Sequence, residues 1–124
     1  MNTATGDLLH VLGYLYLRCG QNRRALYLMR LADVVTPADE GIKRTLAYAC
    51  LVNEAPQEAL DVIAQFDAGG ARDAMASLLR GRALLQLGRV AEARAHFQSY
   101  VEQRGWKPEA HQVGSLEPQA RGAS

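Results

Sequence analysis

The chain has 124 residues, of which 48% are hydrophobic and 22% are charged, a composition typical of one ordinary globular domain. Its formal net charge of +1 provides no broad positive field for phosphate backbones, which argues against nucleic acid as a main ligand. No apolar run approaches the roughly 18 residues of a membrane-spanning helix, so none is predicted.

The sequence repeats itself with a period of 34 residues. Two columns of small residues and one column of large apolar residues recur at this spacing: Gly13, Ala47 and Gly81; Ala25, Ala59 and Ala93; Met29, Ile63 and Phe97. A period of this length is typical of arrays built from a repeated supersecondary unit. We therefore expect three stacked copies of one unit.

The first unit predicts two helices, over 7–19 and 22–35, because its apolar residues recur at intervals of three and four. Gly20 suits the left-handed conformation that closes a helix, and Asn22 is predicted to cap the next helix with its side-chain oxygen. Pro37 ends the second helix, since it has no amide hydrogen to donate. The unit is therefore a helical hairpin.

The other two units repeat this hairpin. Their helices are predicted over 40–52, 56–67, 73–87 and 90–103. Pro56 stands at a first helical turn, where its missing amide hydrogen does no harm, and Gly88 marks the third turn. The expected fold is all-α with six helices and no strands. We expect a flexible N-terminus over 1–5, hairpins over 6–39, 40–73 and 74–107, and a disordered tail over 108–124.

A 34-residue hairpin with small residues in its two helices resembles the tetratricopeptide repeat. Unit one matches the motif at Leu12, Gly13, Tyr16, Gly20, Ala25, Ala32 and Pro37. Units two and three depart from it, with Phe66 and Tyr100 where the motif prefers alanine. The resemblance implies a short right-handed solenoid in which the first helix of each hairpin lines a concave surface.

A narrower resemblance runs through the segment 12–20, LGYLYLRCG, and continues at Arg24, Ala25, Pro37, Ala93, Arg94 and the segment 97–101. These residues resemble the small tetratricopeptide chaperones of bacterial type III secretion, most closely the SctY (YscY) family. That resemblance implies a cytoplasmic chaperone of the export substrate SctX, acting with it at the export gate SctV and peripheral to the inner membrane there. Translocator chaperones have similar folds but longer chains. A needle-subunit co-chaperone and a self-associating scaffold stay open as alternatives.

The resemblance also assigns the residues that line the concave surface. The candidate partner-binding residues are His10, Tyr14, Leu17, Arg18, Arg44, Tyr48, Leu51, Val52, Met75, Leu78, Arg82 and Leu85. Because this strip is too apolar to be left in water, it needs a partner, and an amphipathic helix fits it best. Tyr14 and Tyr48 are the expected anchors, and the three arginines are expected to pair with acidic residues on the partner.

A second set of residues is predicted to pack between the helices instead. These residues are Leu12, Tyr16, Ala25, Met29, Leu46, Ala59, Ile63, Leu84, Ala93 and Phe97. Because no capping helix follows the last hairpin, we expect uncovered apolar surface there, which favours a heterodimer, or a homodimer when no substrate is bound.

The sequence shows no catalytic motif, so the chain is not expected to be an enzyme. The spacings of His10, His96 and His111 match no zinc site, and neither a metal nor another cofactor is expected. Cys19 and Cys50 suggest no disulfide framework and no leader is visible, which favours a cytoplasmic location. A basic face formed by Arg23, Arg24 and Arg30 is either solvated or a docking patch for an acidic surface of the export gate.

Overall fold

A computed structural model describes residues 3–67 and 73–105 of the chain, and in these ranges it contains six helices and no strand. The helices are α1 (Thr3–Arg18), α2 (Asn22–Val35), α3 (Glu40–Val52), α4 (Pro56–Phe66), α5 (Ala74–Gln86) and α6 (Val90–Gln103). The predicted all-α, six-helix fold is confirmed. The predicted tail over 108–124 lies outside the described residues.

Helix boundaries follow the sequence signals closely, except at the start of the chain. α1 begins at Thr3 rather than at residue 7, so residues 3–5 are part of this helix. Asn22 is the first residue of α2, not its cap: Gln21 occupies the N-cap position and makes no side-chain capping bond. Pro56 does lie in the first turn of α4.

The three hairpin turns share one backbone geometry. Gly20 and Gly88, two periods apart, have φ angles of 78° and 80°. Glu54 takes the same turn position in the second hairpin with a φ of 59°, a left-handed conformation that is costly for a residue with a Cβ atom. The turn geometry therefore repeats even in the second hairpin, where the sequence has no glycine at this position.

Small residues let the two helices of each hairpin approach closely. A Cβ atom added to Gly13 would lie 2.5 Å from Sδ of Met29, and one added to Gly81 would lie 2.5 Å from Cε1 of Phe97. In the second hairpin Ala47 is fully buried. In the first and third hairpins the glycine thus faces the hairpin's second helix and leaves room for a large side chain there.

Most residues predicted to pack between the helices are buried. The fully or nearly buried ones are Ala25, Met29, Leu46, Ala59, Ile63, Leu84 and Ala93, and the half-buried ones are Tyr16 and Phe97. Leu12 is an exception, since 37% of its surface is exposed. The centre of the core lies in the second hairpin, where Ile42, Leu51 and Ile63 are almost completely buried.

Ion pairs join successive hairpins. Lys43 of α3 is mostly buried, and its Nζ donates to Asp33 of α2 at 2.7 Å and to Gln65 of α4 at 2.8 Å. Arg80 of α5 pairs in the same way with Asp67, which follows α4. Because breaking a buried pair leaves one charge uncompensated, these contacts fix how the hairpins stack.

Consecutive helices pack along the whole stack, and α3 also contacts both α1 and α5. The first helices of the three hairpins therefore lie side by side and form one continuous surface. None of the described helices is both long and apolar enough to cross a membrane.

Candidate functional site: a groove along α1, α3 and α5

An open groove with a volume of about 450 Å³ runs across α1, α3 and α5. Its lining consists of Tyr14, Leu17 and Arg18 from α1, Arg44, Thr45 and Tyr48 from α3, and Met75, Leu78, Leu79 and Arg82 from α5. Eight of the twelve predicted residues lie here. The structure thus brings them together from three helices.

The walls of the groove are apolar side chains that face solvent. Tyr14 is 47% exposed, Tyr48 39% and Met75 42%, although each belongs to a well-formed helix. Leu79 is nearly buried and belongs to the core beneath the groove. Such a concentration of exposed aromatic and aliphatic surface in a concave site is typical of a binding site.

Sequence reasoning missed Thr45 and Leu79. These residues are one period apart, and the same column in the first unit holds Val11. The column was not among those assigned to the concave surface. A signal was nevertheless present, because Thr45 precedes Tyr48 by three positions and therefore lies on the same helical face.

Arg44 is already neutralised within the protein. Its Nε and Nη2 atoms donate to Oδ2 of Asp73 at 3.0 and 2.6 Å, and Nη2 lies 3.4 Å from Oε1 of Glu40. Asp73 also caps α5 by accepting from the amides of Met75 and Ala76. Burial opposes ionisation of Asp73, but Arg44 and these amides outweigh it and lower the pKa of the carboxyl. The prediction that Arg44 is available to an acidic partner is therefore not supported.

Arg18 and Arg82 differ from Arg44, because neither forms an ion pair with any residue in 3–67 or 73–105. The guanidinium carbon of Arg82 lies 5.3 Å from the centre of the Tyr48 ring. That of Arg18 lies 5.8 Å from the Tyr14 ring, and Nη1 donates to the Tyr14 hydroxyl at 3.2 Å. Each free cation therefore rests on one of the two aromatic anchors.

Four predicted residues lie outside the groove. Leu51 is a correction: it is 1% exposed and belongs to the core, because its face of α3 packs against the neighbouring helices. Nε2 of His10 bonds Oγ1 of Thr45 at 2.9 Å, so this histidine joins α1 to α3. Val52 borders a separate depression beside Pro56, and Leu85 is exposed beyond the groove's lining.

The basic face predicted on α2 is smaller than expected. Arg30 donates from Nε and Nη2 to the two carboxylate oxygens of Glu58 at 3.0 and 2.6 Å, which joins α2 to α4. The hydrogen bond from Arg30 lowers the pKa of the Glu58 carboxyl against the opposing effect of burial. Arg23 and Arg24 remain, and with Tyr16, Tyr27 and Leu28 they line a cleft of about 340 Å³.

Groups able to do chemistry are few and scattered in the described part of the chain. Among those residues, no three histidine, cysteine or acidic side chains lie close enough to hold a metal ion. Burial raises the pKa of the Cys50 thiol to about 12, so it stays protonated at neutral pH. Burial, and then the charge of Arg80, lower the pKa of His96. His111 lies outside the described residues.

No protein-family model matches this chain, and no curated protein does. Its structure is similar to a crystal structure of the Yersinia enterocolitica type III secretion translocator chaperone SycD, described as an alternative dimer, with a TM-score of 0.74. The two sequences are 17% identical, and the match covers 98% of this chain and 92% of that chain. At this identity the likeness is one of fold. The chain therefore shares the fold of SycD.

Proposed function

We propose that this protein is a chaperone of type III secretion that holds an amphipathic segment of an export substrate in the groove along α1, α3 and α5. The observation that carries the proposal is the exposure of Tyr14, Tyr48 and Met75 in one concave site. An apolar helix face inserted there would remove these side chains from water. Binding would withhold the same segment from aggregation.

The charges of the groove define the partner further. Arg18 and Arg82 are unpaired within the described residues, whereas Arg44 is held by Asp73 and Glu40. A segment that presents apolar residues to the tyrosines and carboxylates to these two arginines is complementary to the site. An amphipathic helix with acidic flanks has this pattern.

In its most specific form, the proposal names an SctX-like substrate, delivery to the export gate SctV and a cytoplasmic location. The resemblance of the segment 12–20 to the SctY family supports this form, and the fold shared with SycD supports the chaperone class. A needle-subunit co-chaperone requires the same kind of groove.

Co-expression with the small proteins encoded next to this chain's gene tests the proposal. We expect one of them to co-purify, and Tyr48→Ala to weaken its binding by about 30-fold or more, the scale of an interface anchor. Tyr27→Ala is the matched control, because Tyr27 is 63% exposed on α2, outside the groove. Equal loss from both variants, or a soluble chain that captures none of these proteins, would contradict the proposal.

The charge requirement is tested separately. Arg82→Glu is expected to slow association with the substrate and to weaken the dependence of the association rate on salt, since one of the two free cations of the groove becomes an anion. Arg24→Glu makes the same change outside the groove and is expected to leave association unchanged. Stopped-flow measurements at low and high salt distinguish the two, and equal effects would exclude acidic flanks as the basis of recognition.

A further inference from the structure

The pattern that the groove favours in a partner also occurs within this chain. The segment 109–118, EAHQVGSLEP, contains two carboxylates and neither lysine nor arginine. Glu109 and Glu117 lie towards its two ends, and the apolar side chains of Val113 and Leu116 come between them. We call it the acidic segment, and it lies outside the described residues. Its sequence offers apolar residues between acidic flanks.

The groove carries the complementary charges on its two outer helices. Arg18 belongs to α1 and Arg82 to α5, and Tyr48 of α3 lies in the row between them. Neither arginine forms an ion pair within 3–67 or 73–105. Because α3 contacts both α1 and α5, and packed helices lie about 8 to 10 Å apart, the outer two are about 16 to 20 Å apart. The two free cations therefore lie on opposite sides of the apolar centre.

The spacing of the two carboxylates fits this separation. Glu117 follows Glu109 by eight positions, which corresponds to about 26 Å in an extended chain and about 12 Å in a helix. Gly114, at the middle of the acidic segment, disfavours a continuous helix there. The separation of the outer helices lies between these two limits. A partly extended segment therefore spans the groove with one carboxylate at each side.

The end of α6 lies on the α5 side of the groove. Because α5 and α6 form a hairpin, the last turn of α6 is beside the first turn of α5, where Met75 lines the groove. Gly105 follows α6 with a φ of 74°, the left-handed conformation that commonly closes a helix. Glu109 comes four positions later, a reach of at most about 14 Å. The acidic segment therefore approaches α5 before α3 and α1.

We propose that the acidic segment occupies the groove of its own chain when no substrate is bound, and that a substrate must displace it. In this arrangement Glu109 pairs with Arg82 and Glu117 pairs with Arg18. The apolar residues between the two glutamates cover the aromatic centre of the groove. Because the contact is intramolecular, its effective concentration is in the millimolar range. Weak complementarity is therefore enough to cover the exposed apolar side chains.

This occupancy regulates what the groove can bind. A site that is open for only a fraction of the time has its apparent affinity reduced by that fraction. Only a segment that binds better than the chain's own acidic segment would then be held. This regulatory role rests on the proposed function, whereas occupancy of the groove does not and can be measured without a substrate.

Disulfide trapping in the full chain tests the occupancy. Val113→Cys combined with Thr45→Cys, in a Cys19→Ser background, is expected to form an intramolecular disulfide on mild oxidation, since the native Cys50 is buried. Leu85→Cys replaces Thr45→Cys in the control, because Leu85 is exposed on α5 but does not line the groove. Thr45 is only half-buried, and the control position is the more exposed of the two. Preferential linking to position 45 therefore cannot result from accessibility.

Non-reducing electrophoresis distinguishes the outcomes of the trapping experiment. A linked monomer for the position 45 pair, with little linking for the control pair, supports the proposal. Equal linking of the two pairs, or none at position 45, overturns it. A disulfide-linked dimer would place the segment in the groove of a second copy, and this result also contradicts the proposal.

Charge reversal tests the pairing of the glutamates with the arginines. Glu109→Lys with Glu117→Lys is expected to slow disulfide formation at position 45 several-fold, because both carboxylates are replaced by cations. Lys107→Glu with Arg121→Glu reverses two charges on either side of the acidic segment and is expected to leave the rate unchanged. Equal rates for the two double variants would exclude charge pairing as the basis of the contact.

Co-expression separates this inference from the proposed function. For a substrate that co-purifies, Glu109→Lys with Glu117→Lys is expected to speed its association several-fold, since the competing segment is weakened. Unchanged association would overturn the regulatory role. Trapping at position 45 without any captured protein would contradict the proposed function alone, whereas a captured substrate without trapping would contradict this inference alone.

Discussion

The first and second hairpins follow the same 34-residue pattern, yet equivalent apolar residues differ in their burial. Ile42 and Leu46 of the second hairpin lie in the core, whereas Leu8 and Leu12, one period earlier, are exposed. The local pattern is equally amphipathic in both. The first hairpin packs on this face of the second, whereas none of the helices α2–α6 covers the corresponding face of α1, which shows that burial in a repeat array depends on neighbours as much as on helical periodicity.

The largest expected effect contrasts two residues of the same column. Ile42→Ala removes a fully buried side chain and is expected to destabilise the protein by about 2 to 5 kcal/mol. Leu8→Ala removes an exposed one and is expected to change stability by less than about 0.5 kcal/mol. Urea denaturation at protein concentrations low enough to keep the chain monomeric measures both. Similar losses would mean that Leu8 is covered within one chain.

The next contrast concerns the small residues inside the first and third hairpins. Gly81→Ala directs a methyl group at the ring of Phe97, and this overpacking, about 1 to 3 kcal/mol, exceeds the gain of about 1 kcal/mol in helix propensity. Gly13→Ala meets the flexible thioether of Met29 and is expected to cost less. Thermal denaturation of both variants checks the order, and a more damaging Gly13→Ala would show that Met29 cannot move aside.

Substitutions in the hairpin turns are expected to change stability by smaller amounts. Glu54→Gly is expected to stabilise the second turn by up to about 1 kcal/mol, because glycine adopts positive φ without a Cβ penalty. Gly20→Ala is expected to cost a similar amount in the first turn, where no neighbouring atom would contact the new methyl group. Paired urea midpoints measure the opposite shifts. Shifts of the same sign would exclude backbone strain as the cause.

The smallest expected effect is a pH dependence at the cap of α5. Because folding lowers the pKa of Asp73, its stabilisation is complete above the unfolded-state value of about 3.9 and is lost as the pH falls below it. Asp73→Asn keeps a capping side chain but does not titrate, so it should lose less stability between pH 7 and pH 3 than the wild type. Asp61→Asn, at an exposed site on α4, is the control and should behave as the wild type does.

Much of the fold was predictable because its signals are local. Apolar spacing, Pro56 and the turn residues Gly20 and Gly88 place most helix boundaries within a residue or two. The start of α1 was not predictable, since Thr3, Thr5 and Gly6 have low helix propensity. The capping role expected of Asn22 also failed, because backbone geometry makes Gln21 the N-cap.

The candidate site was predictable only in part. Eight of the predicted partner-binding residues line one groove. Leu51 was expected in the groove but lies in the core, and Leu12 was expected to pack between the helices but is exposed. Helical periodicity gives the direction of a side chain but not what lies opposite it. The pairing of Arg44 with Asp73 joins residues 29 positions apart on two hairpins, and nothing in the sequence near Arg44 indicates it.

By itself, the sequence determined three helical hairpins, their turns and the small residues that let their helices approach, because these depend on spacing within one unit. The tertiary structure alone decided which apolar residues the stack covers and which arginines are neutralised. Each of these depends on contacts between units, and a periodic pattern is the same in every unit whether or not a neighbour is present.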